Sequence, residues 1–312
     1  MMFNFRTLSG NADAQLIGRL SSAASEAALG GVFNPSILRI EDGYVAAFRA
    51  IPAGTQAIRA YLVHLSAASS SASVHDLTAA GERAGIPKVA DPKLVRIGAV
   101  VYATFNTGFV REGRNELFLA PVYPKVGAPQ RIVADFDRQR IEKNWAFFEG
   151  DSKTVRAVYQ LHPYREVCLV QGQLGAEDDL VFASAPPARV HSNMSGTLTI
   201  GTQLLVRDDR ALLMAHEKWV VPRSSKRTYF GRAVGLTGIG TSDIRVHAYP
   251  ERLIHRWRDA LPRRGVHNYN LLSATYFSGL SGEPDSEDVV LGYGVNDARF
   301  SIVRLHEADL WP

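Results

Sequence analysis

Cysteine is nearly absent from this sequence, which has a single one, Cys168, among 312 residues. One cysteine cannot form an internal disulfide, and no second Cys or His stands near it at the spacing of zinc ligands. The sequence therefore argues against a disulfide framework and against a zinc module. We expect neither a metal nor a cofactor.

Long apolar runs are also missing. No window approaches the roughly 18 apolar residues that a membrane-spanning helix needs, and the N-terminus has no apolar core of a signal peptide. The composition, 46% hydrophobic and 21% charged residues, is typical of a globular protein. We therefore expect a cytoplasmic protein without a membrane span.

Charge of one sign is not concentrated anywhere, since 35 basic and 31 acidic residues leave a net charge of only +4. Two short basic clusters, 223–227 and 256–264, are interpreted as solvated surface. The alternative is that they attract an anionic substrate such as a phosphate, a sugar nucleotide or an acidic glycan. Nucleic acid is not an expected partner, because that would require a denser basic stripe with interleaved aromatic residues.

Several catalytic motifs are absent as well. The sequence contains no G-x-S-x-G and no H-E-x-x-H. The glycine-rich stretch Gly235–Gly240 is not followed by a helical pattern, which argues against a dinucleotide-binding loop.

The feature that is present is a repeated pair of short apolar segments joined by a turn, the pattern of an antiparallel hairpin. The first pair, 33–40 and 44–49, is joined by Asp42-Gly43, a dipeptide typical of tight hairpin turns. Four further pairs follow: 90–98 with 100–106, 143–151 with 155–163, 195–200 with 211–216, and 270–277 with 289–297. Helical spacing is rare, and residues 251–261 are predicted as one short surface helix.

A repeat of roughly 50 residues, each forming one small sheet, is typical of β-propeller blades. Five such units predict an all-β fold, a five-bladed β-propeller, with residues 1–312 forming a single domain. A β-sandwich and a parallel solenoid are the competing folds. The propeller is favoured because each repeat places a polar residue at the start of its innermost strand: Asn34, Asp91, Asn144, Thr197 and Asn270. In a propeller these positions would meet at one mouth of the central channel and form a binding site.

The blade starts resemble a known enzyme family. The motifs are Phe33–Ile37, Asp91-Pro92, Glu142–Trp145, Leu161–Pro163, Ser195–Thr197 and Gly292–Asp297. Together they are similar to those of glycoside hydrolase family 130, the five-bladed β-mannoside phosphorylases and β-1,2-mannosidases. The surroundings of Asp91 and the Lys143-Asn144-Trp145 segment depart from the family pattern, which indicates a divergent member.

The resemblance implies an enzyme that cleaves or transfers a glycosyl group, with Asp91 as the general acid. A carboxyl group suits this role when burial or a neighbouring carboxylate raises its pKa. Phosphorolysis would also need cations for phosphate. The candidates are Arg49, Arg59, Lys143, His162 and His216. Inverting hydrolysis would instead need a second carboxylate. Glu149 is the first candidate, with Glu142 and Asp297 also available.

Sugar recognition needs amides, hydroxyls and aromatic faces. The predicted substrate-binding residues are Asn34, Arg49, Asn106, Asn144, Thr197, Tyr229, Tyr269, Tyr293 and Asp297. The expected partners are a carbohydrate and either inorganic phosphate or an anionic sugar, and a homo-oligomer is left open. Phosphorolysis, hydrolysis and transfer from a phosphate-activated donor all remain open, as does a glycan-binding propeller without activity.

Overall fold

The computed structural model describes residues 4–69, 72–194, 198–220, 226–260, 271–284 and 286–311. Strands dominate these residues, and most of them pair antiparallel with their neighbours in sequence. They form five successive groups, the blades, that surround a central channel.

The first three blades contain four strands each. The short strand β1 (Phe5–Thr7) and helix α1 (Ala14–Glu26) precede them. Blade one comprises β2 (Leu29–Ile40), β3 (Gly43–Pro52), β4 (Arg59–Ser66) and β5 (Ser73–Asp76), followed by helix α2 (Leu77–Arg83). Blade two comprises β6 (Ala90–Ile97), β7 (Val100–Asn106), β8 (Leu117–Tyr123) and β9 (Gln130–Ala134). Blade three comprises β10 (Ala146–Glu149), β11 (Val155–Leu161), β12 (Tyr164–Gln171) and β13 (Leu180–Ser184).

Blades four and five are less regular. Blade four comprises β14 (Arg189–Ser192), β15 (Leu198–Ile200), β16 (Leu205–Arg207), β17 (Arg210–Val220), β18 (Arg227–Thr237) and β19 (Asp243–Ala248). After β20 (Arg252–Ile254), blade five comprises β21 (Leu271–Gly282), β22 (Asp288–Val295) and β23 (Arg299–His306). Short 3-10 helices occupy Ser9–Asn11, Asp151–Lys153, Trp257–Ala260 and Glu307–Asp309.

Alternation of side chains along the inner strands gives every blade two apolar faces. In β10, Ala146 and Phe148 face one side while Phe147 faces the other. Five apolar clusters result, and each fills the space between two neighbouring blades, including blades five and one. The prediction of a five-bladed β-propeller is thereby confirmed.

The ring is closed by the first and last blades together with the N-terminal segment. Strand β2 of blade one packs on β21 and β22 of blade five. The approach is close, because a Cβ atom on Gly279 would lie 2.3 Å from the Ile37 nitrogen and one on Gly292 would lie 2.4 Å from the Pro35 oxygen. Residue Ala12 bridges to Val303 of β23, so the outer strand of blade five is also covered.

The helices differ from the expectation. The predicted helix at 251–261 is wrong, because β20 and a 3-10 helix occupy this segment. Strand β20 pairs with both β1 and β18, which buries Leu253 and Ile254. Helix α1 was not predicted, although Asp13 accepts a hydrogen bond from Leu16 N at its start and Leu16 and Leu20 face the core. Neither α1 nor α2 is long and apolar enough to cross a membrane, and the same holds throughout the described ranges.

Candidate active site

The starts of the inner strands meet at one mouth of the channel. Asp91 at the start of β6 accepts a hydrogen bond from Arg49 of blade one, with Nη1 and Oδ1 2.8 Å apart. Its other oxygen lies 3.3 Å from Nζ of Lys143, at the entry to blade three. Three blades thus contribute to one ion-pair cluster around Asp91, as convergence of the blade starts requires.

A shared backbone irregularity explains the position of Asn34 and Asp91. The pairing registers shift between Phe33 and Ser36 in blade one and between Ala90 and Lys93 in blade two. Asn34 has φ of 52° and Asp91 φ of 50°, in the left-handed region that Asn and Asp tolerate better than most residues. A proline follows each of them and cannot donate to the strand ladder. The two bulges redirect both polar side chains toward the channel mouth.

Lys93 lies beneath this cluster and is almost fully buried. Its amine donates hydrogen bonds to the Gly201 carbonyl of blade four and, at 3.5 Å, to the Phe277 carbonyl of blade five. A third basic side chain therefore lies next to the cluster and connects blade two to the far side of the ring.

Burial and charge oppose each other at Asp91. Burial raises the pKa of this carboxyl, but the charges of Lys143, Arg49 and Lys93 together outweigh it and hold the pKa well below its usual range. Burial also lowers the pKa of Lys93 to about 7, against the attraction of Asp91. The Asp91 charge raises the pKa of Lys143. Asp91 is therefore ionised at neutral pH, whereas a general acid needs a raised pKa.

Next to this cluster opens a cavity of about 530 Å³ between blades three, four and five. Lys143 connects the two, because it lines the cavity and contacts Asp91. The lining includes basic side chains, aromatic rings and amides: Gln139, Lys143, Asn144, Tyr159, Gln160, His162, His216, Lys218, Arg227, Tyr229 and Tyr276. A cavity with these donors and ring faces can hold a sugar.

Tyr276 and His216 form the floor of the cavity. Their rings stack with centroids 4.1 Å apart. Burial lowers the pKa of His216 well below its usual value, with a further contribution from the Lys93 charge, so the imidazole is neutral. Burial and the Asp91 charge raise the pKa of Tyr276 to about 12. Beside them, Asn144 donates to the Ile200 carbonyl at 2.6 Å and holds blade three against blade four.

Several buried polar atoms at this mouth have no hydrogen-bond partner within the described part of the chain. They are Asn34 Oδ1, Arg49 Nε, Asn144 Oδ1 and His216 Nε2. Buried polar groups in folded proteins are nearly always paired, and exceptions require an explanation. All four belong to residues that the sequence predicted for the site.

Glu142 lines the cavity but its carboxylate is saturated with donors. It accepts hydrogen bonds from Tyr159 Oη, from Gln139 N at 2.9 Å and from Trp145 Nε1 at 3.2 Å, and it pairs with Arg138 at 3.3 Å. A carboxylate held in this way positions the cavity wall and has little capacity left to activate water.

The remaining cavity residues fall partly where they were predicted. His162 and Tyr229 line the cavity. Asn34 donates to Asp297 Oδ1 at 3.4 Å, which places Asp297 at the same mouth. Thr197, Tyr269 and Asn270 lie outside the described residues.

Two predicted charged residues lie away from the cavity. Glu149 ends β10 and accepts a hydrogen bond from Gly98 N, in the turn after β6. This turn is at the opposite end of β6 from Asp91, so Glu149 cannot serve as a second carboxylate for that residue. Arg59 is engaged by Asp76 and Glu82 at the outer side of blade one and is not available for phosphate.

Two predicted sugar-binding residues have structural roles instead. Tyr293 is completely buried between blades four and five, and its hydroxyl hydrogen-bonds His255 at 2.9 Å. Asn106 is also inaccessible, because its amide binds the Ala90 carbonyl and the Gly108 nitrogen. Asn106 thereby fixes the backbone immediately before Asp91.

Comparison with known proteins places this geometry in a recognised architecture. No protein-family model matches the sequence, and no curated protein matches it. Solved structures do: a glycosyl hydrolase from Bacteroides ovatus superposes with a TM-score of 0.59 and 10% identity, over 89% of this chain and 85% of the other. A structure from the GH130 family of mannoside phosphorylases, which contains glycoside hydrolases that target β-1,2-mannosidic linkages in Candida mannan, superposes with a TM-score of 0.55 and 10% identity. The match covers 89% of this chain and 85% of the other. The β-1,2-mannobiose phosphorylase of Listeria innocua superposes with a TM-score of 0.53 and 10% identity, over 91% of each chain.

The fold is that of the GH130 propellers. The resemblance stated from the blade-start motifs is thus confirmed for the fold, over nearly the whole chain. At this level of identity the likeness concerns architecture, and the chemistry of the site has to be argued from the residues of this chain.

Proposed function

We propose that this propeller is a carbohydrate-active enzyme that breaks or forms a glycosidic bond by inverting phosphorolysis, with Asp91 as the general acid. The observation that supports this most strongly is the pair of cations, Arg49 and Lys143, that contact the buried Asp91 carboxylate beside a cavity that suits a sugar. Phosphorolysis requires this combination of one acid and several cations.

Hydrolysis has weaker support from the same residues. An inverting hydrolase uses a second carboxylate about 6.5 to 9.5 Å from the acid to activate water. Glu142 is saturated with donors and Glu149 lies at the other end of its strand. Asp297 is the remaining candidate, and the Asn34 amide already binds it. Phosphate needs no such base, because its own oxygen is the nucleophile.

The cations that hold the pKa of Asp91 low are also the ones to which we assign the phosphate, so phosphate binding would control the protonation of the acid. Arg49 and Lys143 are the cations nearest to Asp91 and also the cations best placed for a phosphate. When a phosphate dianion shares them, their charge is offset and its own negative charge disfavours the carboxylate. Burial then dominates and Asp91 takes up a proton. Asp91 would thus be protonated whenever the phosphate nucleophile is bound.

The bond changes are those of a single displacement. Asp91 gives its proton to a hydroxyl of the bound sugar, which passes its own proton to the glycosidic oxygen. A phosphate oxygen attacks the anomeric carbon from the side opposite the leaving sugar, and the bond to that sugar breaks. The products are a sugar 1-phosphate of inverted configuration and a free sugar. The proton that hydrogen phosphate carried in restores Asp91. Asn144, Tyr229, His216 and Tyr276 are assigned to sugar contacts, and Asn34 and Asp297 to the mouth next to Arg49.

β-Mannosides are the first substrates to test, because the Listeria innocua structure with the same fold contains β-1,2-mannobiose. The protein and an Asp91→Asn variant would be incubated with β-mannobioses and other β-glycosides, with and without phosphate. We expect phosphate-dependent release of sugar 1-phosphate and a loss of at least about a hundredfold in the variant. Release of free sugar without phosphate would favour a hydrolase. Sugar binding without turnover in both proteins would favour a glycan-binding propeller, and turnover only with a nucleotide sugar a transferase.

A further inference from the structure

The hairpin of β17 and β18 forms one wall of the cavity and rises from its floor. His216 pairs with Gly231, Lys218 with Tyr229 and Val220 with Arg227. Residues that lie directly opposite each other, and every second residue along a strand, share one face of the sheet. His216, Lys218, Tyr229 and Arg227 therefore form a column along the cavity face, and all four line the cavity.

The column runs from His216 toward the end of β17 and the start of β18. At about 3.4 Å per residue, Lys218 lies about 7 Å and Arg227 about 14 Å beyond His216 along the strands. This is where a second sugar would lie if the first rests on Tyr276 and His216. The residues above His216 therefore contact the leaving-group side of a bound glycoside.

The charged residues on the two faces of this hairpin differ in whether they form ion pairs. On the outer face, Glu217 pairs with Arg232 at 2.9 Å and with Arg252 at 2.8 Å. On the cavity face, neither Lys218 nor Arg227 has a carboxylate partner among the residues that the structure describes. Among the described residues, the carboxylate that lines the cavity is that of Glu142, which is already occupied by Arg138 and three other donors. Within the described ranges, two cations thus face the cavity without a carboxylate partner.

We infer that the leaving-group side of this site recognises a sugar that carries an anionic substituent, a phosphate or a carboxylate, through Lys218 and Arg227. Tyr229, between the two cations, offers its ring to the apolar face of that sugar. The inference rests on the proposed function for the orientation of the substrate, but the recognition itself is a binding property and is measured without turnover.

Binding would be measured by titration calorimetry with glucose 6-phosphate, glucuronic acid and glucose, in the wild type and in the Asp91→Asn background. We expect at least one anionic sugar to bind about tenfold more tightly than glucose. The two anionic probes distinguish a phosphate from a carboxylate substituent. Lys218→Met and Arg227→Gln should each reduce that preference about threefold, and added salt should reduce it in the wild type.

The control is Arg245→Gln, which removes an exposed cation from the outer strand of the same blade and should leave the preference unchanged. Equal binding of glucose and both anionic sugars would overturn the inference. The inference would also be overturned if inorganic phosphate competed with the anionic sugar and if Lys143→Met, but not Lys218→Met, lost sugar binding. The anion would then occupy the ion-pair cluster around Asp91. Failure of all glycosides to turn over, with the anionic preference intact, would count against the proposed reaction and leave the anion recognition standing.

Discussion

Replacing Lys143 by methionine should raise the pKa of Asp91, because it removes one of the cations that keep this carboxyl ionised. The Lys143 nitrogen lies 3.3 Å from Asp91 Oδ2. At this distance two unit charges interact by about 1.3 kcal/mol in water and about 5 kcal/mol at an effective dielectric constant of 20. The Lys143 side chain is 49% exposed, so solvent screens the pair and the lower part of this range applies. A change of about 1.5 to 3 kcal/mol corresponds to about one to two pKa units.

The assay is a pH titration of the Asp91 side-chain carbon by NMR, with the resonance assigned through Asp91→Asn. In the wild type the signal should remain that of a carboxylate to the acid limit of the folded protein. In Lys143→Met it should titrate at higher pH, although still below the usual aspartate range because Arg49 remains at 2.8 Å. Saturating phosphate should shift the wild-type pKa in the same upward direction.

The matched control is Lys125→Met, which removes an exposed lysine after β8 at the other end of blade two. It should leave the Asp91 titration unchanged. The reasoning is refuted if wild-type Asp91 already titrates at or above the usual aspartate value, or if Lys143→Met leaves its pKa where it was.

Other predictions concern the supports of the site. Gly294→Ala should lower the thermal midpoint and displace Asn34, because its Cβ would lie 1.7 Å from Asn34 Oδ1; overpacking of this kind costs about 1 to 3 kcal/mol. Gly18→Ala on the exposed face of α1, where an added Cβ would have no described atom within 4 Å apart from its chain neighbours and the helix backbone, should instead be neutral or stabilising. Equal midpoints for the two variants would contradict this. Lys93→Met should abolish a rise in the free energy of unfolding between pH 7 and about 10. The unfolded chain holds the Lys93 proton throughout that range while the folded protein, with a pKa of about 7, has lost it. This assignment would be refuted if the free energy of unfolding, measured by denaturant titration, changed with pH in the same way in the wild type and in Lys93→Met. Glu142→Gln should destabilise the protein by about 1 to 3 kcal/mol, because its new amide group faces existing donors; an unchanged denaturation midpoint would be the contrary result.

The sequence predicted the five blades because each inner hairpin is local in the chain. The pair 90–98 and 100–106 corresponds to β6 and β7 almost residue for residue. Polar residues at Asn34 and Asp91 were also predicted to face the channel mouth, whereas the bulges that turn them there were not predicted. These features depend on short segments, and a single sequence contains them.

The sequence could not predict which side chains from different blades contact each other around the ring. Lys93 lies two residues after Asp91 and looks like an ordinary strand residue, yet its amine reaches Gly201 and Phe277. Glu149 was a reasonable carboxylate by residue type, but its place at the far end of β10 depends on strand direction and length. Tyr293 stood in a motif shared with the family and is buried by packing between blades.

Lys218, Arg227 and Tyr276 could have been found from the sequence with one further step. Strand β17 continues beyond His216, and the period-two alternation places Lys218 on the same face as His216. Tyr276 lies in the predicted inner strand of blade five. Helix α1 also carries a recognisable start at Asp13 and apolar residues at helical spacing.

The most direct measurement is the phosphorus NMR spectrum of a reaction that contains this protein, a β-mannobiose and inorganic phosphate. If Asp91 and the cations around it perform an inverting phosphorolysis, the phosphate signal is replaced by that of an α-sugar 1-phosphate, and no sugar is released when phosphate is omitted. Release of free sugar at the same rate without phosphate, or a β-configured sugar 1-phosphate, would contradict it.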